Sequence, residues 1–94
     1  MAGARPSETL NERVARNLRR ARIALGLRPA DICRRTGIRP NAYSQWESAK
    51  QVPRLDQAFL LCERLGYTLE WIYRGDPSGL PKRIADNLPS VDGE

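Results

Sequence analysis

The segment IRPNAYSQWES, Ile38 to Ser48, carries four polar side chains whose hydrogen-bonding groups suit the edges of nucleic-acid bases: Arg39, Asn41, Ser44 and Gln45. Asn and Gln can each bond adenine through two hydrogen bonds, and Arg can do the same to guanine or grip a phosphate. On a helix, Asn41 and Gln45 lie four residues apart and project from one face. Tyr43 and Trp46 then lie on the opposite face. The plain alternative is a solvated helix surface, so the assignment depends on what holds the segment. Arg28, Lys50 and Arg54 flank it and suit phosphates, against a plain reading as surface charge.

Pro40 points to a helix start, because proline at the first helical position loses no hydrogen bond and already has a helical φ. The same opening occurs eleven residues earlier, in Arg28-Pro29-Ala30-Asp31. Two short helices separated by TGIR, the first ended by Gly37, predict a helix-turn-helix over residues 29–48. Helix one is expected from the N-cap Ser7 to Leu25, with the stripe Leu10, Val14, Leu18, Ala21 and Leu25. Helix two should run from Pro29 to Thr36 and bury Ile32 and Cys33. Helix three should run from Pro40 to Ser48, with Pro53 barring helix in the following loop. Helix four is expected over Leu55–Leu65, with Leu55, Ala58, Leu61, Cys62 and Leu65 inside. Helix five should start from the cap Thr68 and end at Gly75. The pattern is all-α: a disordered 1–7, a compact five-helix domain over 8–75, and a mostly flexible C-terminal tail over 76–94. Within that tail, Lys82 to Leu88 allow one turn or two.

The composition narrows the chemistry. Ninety-four residues, 40% of them apolar, suffice for one domain and one core. No apolar run reaches the roughly 18 residues of a membrane span, and the N-terminus lacks the apolar stretch of a secretory signal. Cys33 and Cys62 make no disulfide framework, so a reducing cytoplasm is expected. Both read as inert core thiols. Residues 1–50 carry 11 basic and 4 acidic side chains, net +7, whereas 51–94 are net −2. A basic half suggests a polyanion partner, and the alternative is a solubilising surface. There is no histidine, so the commonest general base is missing and two cysteines cannot complete a zinc site. No phosphate loop or nucleophile elbow appears. The expectation is a non-enzyme with no cofactor and no metal. RNA binding is disfavoured by the lack of an exposed aromatic platform.

Residues 18–75 resemble the phage-repressor helix-turn-helix family, of the Cro, lambda-repressor or XRE type. The features that carry the resemblance are Arg22 with Leu25-Gly26-Leu27, Gly37-Ile38, Trp46-Glu47, Pro53, Leu65-Gly66, and Leu69 with Trp71-Ile72. Each is weak alone; in order and at this spacing they are specific. The resemblance implies a lambda-repressor-like five-helix bundle whose third helix enters the DNA major groove. It also implies that Arg22 and Glu47 pair, bracing helix one against helix three. Helix two of the family usually begins with Ser-Gln, where Arg28-Pro29 stands here. The usual Ser or Thr cap of helix three is Arg39, the small polar residue of the turn, often asparagine, is Ser48, and the family's glycine after helix three is Ala49.

The implied function is a sequence-specific, double-stranded-DNA-binding transcriptional regulator, cytoplasmic and nucleoid-associated. It would act as a homodimer on a palindromic operator. Its DNA contacts would come from Arg28, Arg39, Asn41, Ser44, Gln45, Ser48, Lys50 and Arg54. Phe59, Leu60, Trp71, Ile72 and Tyr73 offer more apolar surface than so small a domain is expected to bury, which places the dimer interface along helix five. The alternative is an antitoxin-like module that neutralises a protein partner through its C-terminal tail and controls its own operon.

Overall fold

The computed structural model describes residues 8–90, and among them the only regular elements are helices. These are α1 (Leu10–Leu25), α2 (Pro29–Thr36), α3 (Pro40–Glu47), α4 (Leu55–Leu65), α5 (Leu69–Arg74) and a short α6 (Lys82–Ala85). Helix α1 is the central strut and packs against α3, α5 and α6; α2 rests on α3 and α4, and α4 on α5. Val14, Leu18 and Ala21 of α1 meet Ile32, Tyr43, Trp46, Ala58, Leu61, Leu65, Trp71 and Ile72 in one core.

The start of α1 differs from expectation. Ser7 lies outside the described residues, and Thr9 is the N-cap. Its hydroxyl accepts from the Glu12 amide at 3.1 Å while the Glu12 carboxylate accepts from the Thr9 amide at 3.0 Å. This reciprocal pair satisfies two amides that a helix start otherwise leaves open. Leu10 therefore falls in the first turn, beyond the body of the domain, and is 49% exposed. Leu55 is 57% exposed for the same reason, being the first residue of α4.

A buried polar residue completes the α1 stripe. Asn17 donates from Nδ2 to the Ile72 carbonyl at 3.1 Å, and its own carbonyl accepts from Trp71 Nε1 at 3.0 Å. Those two bonds lock α5 onto α1. They also explain the glycine that ends α5. Gly75 has φ +74°, and a Cβ there would stand 3.1 Å from Asn17 Oδ1. Trp71 and Ile72 are thus wholly interior, not surplus apolar surface. Tyr73 is half-buried, with its hydroxyl donating to the Pro53 carbonyl at 2.9 Å.

The segment after α5 adds to the five expected helices. Leu80 and Ile84 are buried in the core, and α6 lies on α1. Arg20 stacks over Trp71 at 5.2 Å and donates to the Pro89 carbonyl at 3.0 Å. Arg83 donates to the Leu65 carbonyl at the end of α4. The one or two turns expected between Lys82 and Leu88 are present, and these contacts hold them to the body. Cys33 and Cys62 are unpaired and half-buried, not fully interior as expected; burial pushes both thiols up.

Candidate nucleic-acid interface

Two prolines start the two helices of the motif. Pro29 and Pro40 each occupy the first turn, preceded by Arg28 and Arg39 in extended backbone. Between the helices, Gly37 takes φ +78°, which gives the chain its sharp reversal at no Cβ cost. The turn is closed from inside by Thr36. Its hydroxyl donates to the Ile32 carbonyl at 2.8 Å and accepts from the Ile38 amide at 3.2 Å.

Helix α3 is fixed along its inner side. Tyr43 and Trp46 are buried and meet edge to face, with ring centroids 5.8 Å apart. Arg22 grips Glu47 with two bonds, Nε to Oε2 at 2.8 Å and Nη2 to Oε1 at 3.1 Å. The Tyr43 hydroxyl donates to the same carboxylate. Arg22 also donates to the Leu27 carbonyl, so one guanidinium ties α1 to both α3 and the loop before α2. Bonding to Glu47 raises the Arg22 pKa, whereas burial, then Glu47, raises that of the Tyr43 phenol. At the far end of α3, Arg19 of α1 donates to the Glu47 carbonyl at 3.0 Å.

The outer side of α3 is a ridge between two clefts. Arg39, Asn41 and Gln45 line a cleft of ≈ 350 Å³ toward α4, together with Gln51, Arg54 and Gln57. Ser44 and Ser48 instead border a cleft of ≈ 290 Å³ toward α2, beside Pro29 and Pro40. Arg39, Asn41 and Ser44 are exposed and Gln45 partly so. The eight residues expected at an interface therefore spread over the two sides of one ridge and its margins. Ser48 donates its hydroxyl back to the Gln45 carbonyl, at 3.3 Å.

The cations divide by what they already hold. Arg13 and Arg16 both grip Glu8, whose carboxyl is held below its usual range chiefly by Arg16. Arg20, Arg22 and Arg83 are engaged in the packing described above. The exposed guanidinium groups of Arg28 and Arg54 make only long contacts, to Asp31 at 3.5 Å and to Asp56 at 3.4 Å. Exposed pairs of this kind contribute little and can be exchanged for phosphate. Arg39 and Lys50 are exposed, and neither is paired with a carboxylate among the described residues. Four weakly held cations, Arg28, Arg39, Lys50 and Arg54, thus flank the ridge; Arg35, Arg64 and Arg74 lie exposed elsewhere, on α2, α4 and α5, while those on α1 are used to build the fold.

A helix-turn-helix family model matches residues 18–72, from the middle of α1 into α5. The chain belongs to the Cro and lambda-repressor type of helix-turn-helix proteins. No curated protein and no solved structure matches it. Membership in this helix-turn-helix family makes it a DNA-binding regulator. Among the described residues no helix is long and apolar enough to cross a membrane.

Three residues outside the expected set bear on the interface. Gln51 and Gln57 share the cleft with Asn41 and Gln45. Asn11 of α1 reaches the corner after α3, where its Nδ2 donates to the Ala49 carbonyl at 3.2 Å. No local pattern marks any of the three; a tertiary neighbour is what gives each its role. Ala49, where the family has glycine, keeps the left-handed backbone with φ 67°.

Proposed function

We propose that the protein is a sequence-specific transcriptional regulator of repressor type that reads the major groove with α3. Asn41 and Gln45 contact base edges, Arg39 contacts a base or the adjoining phosphate, and Ser44 and Ser48 bond the backbone on the α2 side. Arg28, Lys50 and Arg54 neutralise phosphates on both margins. The observation that supports this most is the division of α3 itself. Its aromatic side is buried and braced by Arg22, while the opposite side is polar, exposed and flanked by weakly held cations.

Such an interface releases counterions on binding. With about 4–6 phosphates neutralised per subunit, log affinity should fall against log salt with a slope of about −4 to −5 per subunit. Fluorescence anisotropy on a labelled duplex at several salt concentrations measures it. A flat dependence between low and moderate salt would show that no groove docking occurs.

A two-fold dimer on a palindromic operator belongs to the same reading, with recognition helices about 34 Å apart. The apolar surface that supports it lies on α4, where Leu55 and Phe59, one turn apart, are 57% and 47% exposed. Paired exposed apolar side chains of this size favour an interface. Light scattering at high micromolar concentration should give a mass near twice the 10.6 kDa of the chain. Phe59→Lys should return it to the monomer value. A wild-type monomer that binds single half-sites would remove the dimer from the account. The antitoxin-like reading gains no support from the tail, because the segment through Pro89 is engaged by its own domain.

A further inference from the structure

The corner after α3 is held from outside. Ala49 is the one non-glycine residue with positive φ among the described residues. A left-handed backbone crowds the Cβ of an L residue against the next carbonyl, so glycine is the usual occupant at such a helix exit. Here the corner has alanine instead and a second support: Asn11, in the first turn of α1, whose side-chain amide donates to the Ala49 carbonyl at 3.2 Å.

What the corner orients is the margin of the interface. With Ala49 left-handed, two successive amides turn back onto one acceptor. Lys50 N donates to the Gln45 carbonyl at 2.9 Å and Gln51 N to the same oxygen at 3.2 Å. Gln45 belongs to the outer ridge, Gln51 lines the cleft beside it, and Lys50 is exposed with no carboxylate partner among the described residues. If Ala49 relaxed to negative φ, both amide bonds would break and Lys50 would leave its place beside α3.

We propose that Asn11 is a positioning residue for the DNA interface: it locks Ala49 left-handed and so holds Lys50 against a phosphate and Gln51 beside Gln45. The inference rests on the reading that the outer side of α3 meets DNA. Asn11 acts through the backbone and need not touch DNA. A glycine at residue 49 needs no such lock, so it should make Asn11 dispensable.

The test compares wild type, Lys50→Ala, Asn11→Ala and Asn11→Ala/Ala49→Gly on a random-sequence duplex of about 30 base pairs across a salt series. Circular dichroism confirms that each variant is folded. Lys50→Ala should make the salt slope shallower by about one. Asn11→Ala should do the same and weaken binding about 3–10-fold at moderate salt. Adding Ala49→Gly should restore both slope and affinity although the asparagine is still missing. Asn11→Leu keeps the branched shape without a donor and should behave as Asn11→Ala does, with the same rescue, should the alanine variant be poorly folded. Wild-type binding by both Asn11 variants would overturn the proposal. So would a loss that glycine does not restore, since Asn11 would then act directly or through the fold at large. An unchanged slope in Lys50→Ala would instead overturn the phosphate assignment on which the proposal depends.

Discussion

Trp46→Ala should cost about 3–5 kcal/mol and leave the domain only marginally stable. The indole is 2% exposed, sits edge-on to Tyr43, and lies where α1, α3 and the loop before α4 converge. Truncation removes the largest side chain of that contact and leaves a cavity that the surrounding helices and loop cannot fully close. Small domains have total stabilities toward the low end of about 5–15 kcal/mol, so the loss takes most of the margin. Urea unfolding followed by circular dichroism measures it. Trp46→Phe should keep the fold with a smaller loss. A cost below about 1 kcal/mol for Trp46→Ala would mean that α3 is not anchored by its aromatic side.

Glu47→Ala should cost about 2–4 kcal/mol, somewhat under the range for removing one partner of a fully buried ion pair. The pair is partly screened, with side-chain exposures of 17% for Arg22 and 13% for Glu47. Against that screening stands the number of groups stranded. Arg22 loses two bonds, and the Tyr43 hydroxyl loses its acceptor. The melting temperature should fall by on the order of 10–20 °C. The double variant Arg22→Ala/Glu47→Ala should be less damaged than the two single losses together, because neither partner is left stranded. Strict additivity in that cycle would show that the pair is only a surface contact.

Much of the frame was readable because local signals and tertiary demands agree. Pro29 and Pro40 mark helix starts by their missing amides, and Gly37 marks the turn by its φ. Those residues carry their structural meaning in their own covalent geometry. Thr-x-x-Glu at residues 9–12 is the local signature of the Thr9 cap, and Ser7, an equally good capping residue type, competes with it two residues earlier in the sequence. Asn17 was not readable: a polar residue inside an apolar stripe looks like a surface position until the Ile72 carbonyl and the Trp71 indole are beside it. Residues 80–89 were hard for a related reason. A four-residue helix has almost no periodicity, and Ile84 is interior only because α1 lies against it. Trp71 and Ile72 were expected to be partly surplus apolar surface. Both are interior, joined to Asn17 of α1, and the large apolar side chains left exposed are Leu10 and Ile23 on α1 and Leu55 and Phe59 on α4.

The outer ridge of α3 was legible as chemistry and less so as geometry. Side-chain types point to base edges, and helical spacing separates them from Tyr43 and Trp46. The division into an α4-side cleft with Asn41 and Gln45 and an α2-side cleft with Ser44 and Ser48 depends on the crossing of three helices. Spacing along one helix does not encode it.

The most direct test of α3 as the reader is selection of bound sites from a random DNA pool, run in parallel with wild type, Asn41→Ala and Gln45→Ala. Melting temperatures should remain nearly unchanged, since Asn41 is exposed and Gln45 partly so, both on the outer ridge. Each substitution should cost about 1–3 kcal/mol on the preferred operator and relax preference at one base position, leaving the other positions as before. Lys50→Ala, run alongside, should weaken all sequences alike. If Asn41→Ala and Gln45→Ala both keep the wild-type site preference and affinity, α3 does not read the sequence, even though the fold is that of a helix-turn-helix protein.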